Sequence, residues 1–378
     1  MAETDTDLLY LYNDTHLNSA LPTIVFLSLI MVTGFIGNCT VCFVYLKRFK
    51  PSPLRCFILT TSFFDLFICV FDLPIAIVNM RYLYSSGEFL ELCKAFHMLH
   101  DFSFMTSMFM LLAIAVERYK KICQPFENRM TVRKARVVIV VSCLLALVLS
   151  SPATIIFGAH IFPVNGKNNT IINATQCALA NLHVYHIGTI SKISLTGWIV
   201  LDIGVFLTLV VLYCLIWRKI YDHIDVMTNK TLSHSQNANI ANASAEHASI
   251  TDTRIDDDDN MTTTSVVSGS IDHSKTTMNQ SPTRNTHDHP GTLLKVTLTM
   301  VCVSLASFVA YLPIICLMFI ALFAPSTMTT FQESVTWLYY IVLQSFYIQC
   351  ALNPLVYGFC NTAFRYEMRL ACEKITSN

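Results

Sequence analysis

Seven times along 378 residues, the chain runs apolar for longer than a helix needs to cross a bilayer. The runs fall near 22–46, 56–80, 94–120, 135–157, 195–219, 293–322 and 335–357. A spanning helix needs roughly 20 predominantly apolar residues, and every run exceeds that. One such run could be a buried core helix; seven in one chain do not fit a water-soluble core. Composition points the same way. Hydrophobic residues make up 53% and charged residues 13%, where soluble domains carry about 25% charged. The net charge of +0 supplies no basic field for nucleic acid. The expected fold class is an all-α membrane protein, a bundle of seven transmembrane helices.

The positions of Lys and Arg orient the bundle, because cytoplasmic loops are enriched in them. With the N-terminus outside, the outer segments hold only Arg81, Lys94, Lys167 and Lys192 of the 25 basic residues. Long loops follow this rule poorly, so Lys230, Arg254, Lys275 and Arg284 are set aside. Seventeen inner residues remain against four outer ones. The sequence thus expects a multi-pass plasma-membrane protein with its N-terminus outside. Met1–Ser19 carries Glu3, Asp5, Asp7 and Asp14 but no Lys or Arg. That is unlike a signal peptide, and leaves the first span to act as the targeting signal.

Cysteines and sequons agree with this orientation. Of 14 cysteines, only Cys93 and Cys177 fall in outer segments, where disulfides persist. Two cysteines allow a single intramolecular pairing, which would tie the top of the third span to the second outer loop. Asn13, Asn168 and Asn173 head outer glycosylation sequons.

The chain divides into an extracellular tail (1–21), spans one to five (22–222), a third cytoplasmic loop (223–290), spans six and seven (291–358), and a cytoplasmic tail (359–378). The loop is rich in Ser, Thr, Asn, Asp and His, includes the run Asp256–Asp259, and has too few apolar residues to fold alone. It is expected to be disordered, either a spacer or a phosphorylation target. In the tail, Phe364, Met368, Leu370 and Ala371 alternate with Arg365, Arg369 and Lys374. That pattern makes a short amphipathic helix suited to the inner membrane face. Cys372 on it is a palmitoylation candidate, or an unmodified thiol.

Polar residues inside spans mark function by default, since each is costly there. Asp65 in the second span, Asn38 in the first and Asn353 in the seventh should share one depth. Glu117-Arg118-Tyr119 ends the third span. Arg118 follows Cys93 by 25 residues, about 37 Å of helix, enough to cross the roughly 30 Å hydrocarbon core. Asn353-Pro354-Leu355-Val356-Tyr357 closes the seventh span.

These residues, in this order and at these depths, resemble the signatures of the rhodopsin-like (class A) G-protein-coupled receptors. Gly37-Asn38 looks like the family's first-helix pair, and Asp65-Leu66 like its second-helix motif. Glu117-Arg118-Tyr119 is similar to its acidic-Arg-Tyr triplet, and Asn353–Tyr357 to its Asn-Pro-x-x-Tyr motif. Cys93 and Cys177 match its loop disulfide. The resemblance covers roughly 22–222 and 291–373. It implies that Arg118 pairs with Glu117 at rest, beside Tyr119, and turns toward a G protein on activation. Tyr213 and Tyr357 would then support it, with Asn353 and Pro354 shaping the seventh helix. It also implies a sodium ion held by Asp65, Ser107 and Asn353, against which stands a hydrogen-bonded Asp65 with no ion. No other cofactor is implied. Heterotrimeric G protein, arrestin and receptor kinases are the implied partners, besides the bilayer. The chain departs from the pattern in several places. Its fourth span has no Trp, Val205 stands where the fifth usually has Pro, and Tyr311 stands where a Trp toggle usually sits. An acid is also missing around Leu293.

Ligand class is narrowed by what occupies the upper half. Tyr347 stands where opsins place their retinal lysine, so no Schiff base can form there. Amine receptors carry Asp where this chain has His100; Asp101 is next door, about 100° further around the helix. Their aromatic pair after Pro313 is replaced by Ile314 and Ile315. The stretch from Lys50 to Leu59 looks like peptide-receptor chains, as does the mixed charge of Asp72, Arg81, Asp101, Lys192, Asp202 and Glu333. His97, His100, Asp101, Phe104, Asp202, Tyr311 and Tyr347 are the candidate ligand-binding residues. Asp101 has two conceivable partners, His97 four residues earlier on the same face or a cationic group on the ligand.

A neuropeptide or peptide hormone is therefore the expected ligand, with a small amine or other small molecule as the alternative. An ion-coupled transporter using Asp65, Asp101 and Asp202 as a relay should show internal repeats, which the sequence lacks. An enzyme is not expected: no nucleotide loop, metal cluster or nucleophile elbow lies outside the spans.

Overall fold

The computed structural model describes residues 2–82, 90–125, 129–165, 171–179, 185–251 and 290–376. Two compact units divide the chain. One comprises Met1–Trp217 with Leu294–Asn378, the other Arg218–Leu293.

The first unit is a helical bundle turned inside out relative to a soluble protein. Leu29, Val148, Ile193 and Phe359 are all more than 60% exposed, whereas Asn38, Asp65, Arg118 and Asn353 are buried. Apolar side chains outward and polar ones inward is the arrangement lipid imposes. Spans one to three are α1 (Ala2–Arg48), α2–α3 (Pro53–Phe67 and Leu73–Arg81) and α4 (Leu90–Cys123). The fourth is α5 with α6 (Val132–Ser150 and Ala153–Ile156), the fifth α7 (Tyr185–Thr251) and the sixth α8 (Pro290–Phe323). The third span lies at the centre of the unit, 61% buried, while the fourth is 22% buried and largely peripheral.

Local chemistry sets several boundaries. Ser52 caps α2 by accepting from the Arg55 N–H at 3.2 Å, with Pro53 in the first turn. Thr131 does the same for α5 through Lys134 N–H. Pro152 follows the end of α5, and a four-residue turn, α6, completes that span. Gly37 lets α1 approach the seventh span. A Cβ there would stand 2.5 Å from the Pro354 ring, closer than any side chain tolerates.

Besides the fourth, two more spans are not continuous α-helix. Between α2 and α3, Ile68–Asp72 form a π-helical segment. The seventh span consists of α10 (Thr336–Leu343) and α11 (Ile348–Cys360) joined by a 3₁₀ turn at Ser345–Tyr347. For this reason six described helices, not seven, are individually long and apolar enough to cross a membrane. Residues Pro325–Ser334 form α9, ahead of the seventh span.

The segment between the fourth and fifth spans, for which the sequence gives no regular structure, contains a β-hairpin. Strands β1 (Phe157–Asn165) and β2 (Ile171–Leu179) pair antiparallel, with Phe157 opposite Leu179 and Ala159 opposite Cys177. Phe157, Ile161, Val164, Ile171 and Ile172 supply the β-branched and aromatic character that strands favour. After the seventh span, α12 (Thr362–Thr376) packs with Phe364 and Ala371 buried and Arg365 and Arg369 exposed. Asn361 caps it by accepting from Phe364 N–H at 3.0 Å.

Two segments extend beyond the expected limits. Residues 2–21, read as an extracellular tail, continue α1 as helix, and Pro22 sits inside it. Helix α7 runs to Thr251, into the segment 223–290 expected to be disordered. From Val205 to Thr251 no Gly or Pro interrupts the sequence, so nothing local ends the helix. Residues 252–289 lie outside the described part of the chain.

Candidate functional site

The polar residues inside the bundle occupy three levels. At the end of the third span, the Arg118 Nε donates to Glu117 Oε2 at 2.5 Å, with both side chains under a tenth exposed. A charge-assisted bond of this length between adjacent residues leaves neither charge unpaired in the buried interior. Tyr119 is half-buried beside them. The Tyr213 hydroxyl on α7 lies 2.9 Å from Ser304 Oγ and donates to the Met300 carbonyl at 3.3 Å, which joins the fifth span to the sixth. Tyr357 is fully buried against Tyr45 and Phe364.

The middle level brings together Asn38, Asp65 and Asn353 as their shared depth predicts. Asn353 Nδ2 donates to Asp65 Oδ2 at 2.8 Å, and Asn38 Nδ2 donates to the Cys350 and Gly34 carbonyls at 2.8 and 2.9 Å. Three buried oxygens are left with no hydrogen-bond partner among the described residues: Asn38 Oδ1, Asn353 Oδ1 and Ser107 Oγ. The Gln349 amide is unpartnered at both its oxygen and its nitrogen. Unmet oxygens beside a carboxylate fit a hard cation.

Above them, His100, Phe104, Ser107, Tyr311 and Tyr347 line one cavity together with Gln349. Its volume, about 10 Å³, is room for about one water. Phe104 meets Tyr311 edge to face at 4.5 Å, and His100 meets Tyr347 at 5.4 Å. Four of the seven expected ligand-binding residues thus converge, but as a closed floor. Tyr347 is 2% exposed and Tyr311 8%.

The upper level is acidic. His100 Nδ1 lies 2.6 Å from Asp72 Oδ2, and Tyr347 packs on His100 within electrostatic reach of the same carboxylate. One cluster therefore ties spans two, three and seven, at the π segment of one and the 3₁₀ turn of another. Asp101 lies within electrostatic reach of His100, Asp72 and Asp202. Asp101 Oδ2 and Asp202 Oδ1 are buried with no hydrogen-bond partner among the described residues. The internal partner considered for Asp101 is corrected. His97 stacks on Phe157 of β1, rings 3.7 Å apart and 9° from parallel, and no described hydrogen bond joins it to Asp101.

Asp72 was visible in the sequence only as one of several upper charges. It lies seven residues after Asp65, which on an unbroken α-helix is the spacing of one face; the π-helical segment Ile68–Asp72 lies between them. Gln349 and Ser304 carried no signal of their own.

Among the remaining positions, Asn13 is 4% exposed on α1. Asn168 lies outside the described residues, as do the side chains of Asn173 and Cys177. Cys93 is disulfide-bonded. Cys372 is exposed on α12.

Seven spans with this ordered polar interior define a class, the helical-bundle membrane receptors. Residues 37–357 match the family described as 7 transmembrane receptor (rhodopsin family). The chain belongs to that family. It is similar to the human neuropeptide FF receptor 1, 35% identical over 153 residues, 39% of this chain and 35% of the relative. It is also similar to the rat neuropeptide FF receptor 2, 31% identical over 40% of this chain and 37% of the relative. The human cholecystokinin receptor type A is 27% identical over 42% of this chain and 37% of its own length. The chain thus aligns with little more than a third of the length of these relatives.

Proposed function

We propose that this chain is a cell-surface receptor that binds an extracellular peptide and activates a heterotrimeric G protein. Family membership and the peptide receptors among its relatives support the class of ligand. The observation that carries the reading is the pair Asp101 and Asp202, buried carboxylates with oxygens that nothing described in the bundle satisfies. An unpaired charge inside a span costs roughly 2.5–3.5 kcal/mol on insertion scales. A ligand Arg, Lys or N-terminal amine offsets that cost on arrival, whereas a neutral ligand does not. The closed floor of Phe104, Tyr311 and Tyr347 sets the depth at which such a peptide stops.

Activation then proceeds at the other end of the third span. Release of Arg118 from Glu117 gives a buried cation access to the G protein, with Tyr213 and Tyr357 moving in to hold it there. Arrestin and receptor kinases would engage the same inner face. Asp65, Ser107 and Asn353 have the unmet oxygens to hold a sodium ion, whose charge would stabilise the resting arrangement. Cys93 is proposed to pair with Cys177. Asn13, Asn168 and Asn173 remain the glycan acceptors, and Cys372 a palmitoylation site. The N-terminus is outside and the membrane is the plasma membrane.

The test is nucleotide exchange on purified G proteins by the reconstituted receptor, screened against a library of neuropeptides. Exchange driven by cationic peptides supports the reading; exchange driven only by neutral or amine small molecules removes it.

A further inference from the structure

The turn between the first and second spans carries a hydroxyl that the receptor reading does not use. It reads Lys47-Arg48-Phe49-Lys50-Pro51-Ser52-Pro53-Leu54-Arg55, four cations and no acid. Helix α1 ends at Arg48 and α2 begins at Pro53. Residues 50–52 have no regular structure; Lys50 and Pro51 are exposed, and Ser52 is half-buried. The Ser52 backbone is extended, with φ −152° and ψ 158°. An exposed stretch leading to an extended serine is the form in which a protein kinase takes its substrate. Pro53, directly after the serine, has no N–H. A kinase that must bond that N–H rejects the site, and a proline-directed one accepts it. Arg55, three residues after the serine, is the cation that a subset of such enzymes also reads. The comparison is Thr131, the equivalent cap of α5. It is exposed, lies between Arg129 and Arg133, and accepts from Lys134 N–H at 3.2 Å, but Val132 follows it.

The surroundings of Ser52 lack a negative charge and have a place for one. In a capping box the third helical residue is Glu or Gln, whose side chain reaches back to the cap. Here that residue is Arg55, which can only donate. Its Nη2 donates to the Leu46 carbonyl of α1 at 3.2 Å, and its Nε is buried with no hydrogen-bond partner among the described residues. Helix α2 also has no acid in its first turn, where the backbone dipole favours one. Glu367 meets Arg48; no described carboxylate pairs with Lys47, Lys50 or Arg55. A phosphate on Ser52 supplies what is missing. It brings a charge of about −1.5 to −2 and three strong acceptor oxygens. They arrive beside the Arg55 N–H, which Ser52 Oγ already accepts at 3.2 Å, and on the same helical turn as the unmet Nε.

We propose that Ser52 is a phosphorylation site for a proline-directed Ser/Thr kinase, and that Arg55 holds the phosphate it receives. The transfer takes the γ-phosphoryl group of ATP. The Ser52 Oγ–P bond forms as the bond from that phosphorus to the β–γ bridging oxygen breaks. ADP leaves with that oxygen, and the hydroxyl proton passes to the kinase's base. Because Arg55 is also bonded to Leu46, the modification fastens the end of α1 to the start of α2. Access in the cell rests on the proposed orientation, which puts this turn on the cytoplasmic side; the chemistry of the site does not.

The experiment incubates the full-length receptor, in detergent micelles, with a cyclin-dependent kinase and magnesium ATP. Phosphopeptide mass spectrometry reads the site, and hydrogen exchange reads the start of α2. Ser52 should be labelled and Thr131 should not. Ser52→Asn keeps the cap, so it should fold and take no phosphate at this position. Pro53→Ala leaves the hydroxyl in place and should lose the labelling. Phosphorylation should slow exchange over residues 53–57 about tenfold, the worth of one charge-assisted hydrogen bond. Arg55→Lys keeps a cation for the kinase but removes Nε; it should be labelled and lose most of that protection. A synthetic peptide of residues 47–58 is the unfolded reference. A labelled peptide beside an unlabelled receptor overturns the proposal, as does a Pro53→Ala variant labelled like wild type. Exchange unchanged by the phosphate, or equal protection in Arg55→Lys, overturns the role of Arg55. Micelles have no sides, so an inverted orientation would leave these results unchanged and would appear instead in surface labelling of the N-terminus.

Discussion

The two ends of the third span treat charge in opposite ways. At Arg118 the cation has its acid one residue away at 2.5 Å, and the neighbouring Tyr213 is bonded to Ser304. At Asp101 and Asp202 the carboxylates share a region with each other and leave buried oxygens unmet. The first end is complete within the chain, and on the proposed function it must be broken to act. The second is incomplete and must be joined by something else. On the proposed function, one end acts by losing a bond and the other by gaining one.

The largest expected effect breaks the complete end. Arg118→Ala should abolish G-protein activation. It also strands Glu117 in the bundle, where breaking a buried pair costs about 3–5 kcal/mol, so surface expression should fall as well. Adding Glu117→Gln should restore expression, measured by cell-surface labelling, but not signalling. If the double variant signals, the two residues are only structural.

Cys93→Ser tests the frame of the incomplete end. Its proposed bridge to Cys177 encloses more than eighty residues, so its loss should cost about 4.5 kcal/mol on the chain-entropy model. Surface delivery should drop for either single Cys→Ser variant, and mass mapping of tryptic peptides should find the pair joined. Normal trafficking of both variants would dismiss the bridge.

Asp101→Asn separates the two ends most sharply, because it keeps shape and removes charge. Thermal stability of the ligand-free receptor should hold or rise by up to about 1 kcal/mol, since an unmet charge has gone. Agonist potency should fall roughly ten- to a hundredfold, the worth of a charge-assisted hydrogen bond. Unchanged potency at matched surface levels would remove Asp101 from the binding site.

Arg48→Ala should do least. Its pair with Glu367 is about a quarter exposed on each side, and such pairs contribute about 0.2–1 kcal/mol. A shift in melting temperature of more than a few degrees would mean that α12 depends on that bond.

How much of this could be read in advance follows the same division. The inner and middle residues were legible because their roles depend on position along single helices: Arg118 by its distance from Cys93, Asp65 and Asn353 by depth. The His100–Asp72 bond was not, because partner choice depends on how three helices are rotated about their axes, and periodicity is silent on rotation between spans. The seven runs announced the bundle. They did not announce the joint in the seventh, since no Gly or Pro lies between Thr336 and Tyr347, and a 3₁₀ turn differs from α only in which carbonyl each N–H meets. Nor does Pro22 interrupt α1; spanning helices tolerate the ring.

That joint has a mechanical consequence. An unbroken rod passes a twist applied at one tip straight to the other. A rod interrupted at Ser345–Tyr347 is two levers sharing a pivot, and Tyr347, packed on His100, which is itself held by Asp72, is the pivot's bearing. Displacing the upper lever need not turn the lower one until the bearing lets go. The seventh span is thus built to respond past a threshold instead of in proportion, and the threshold is set by two side chains on other helices.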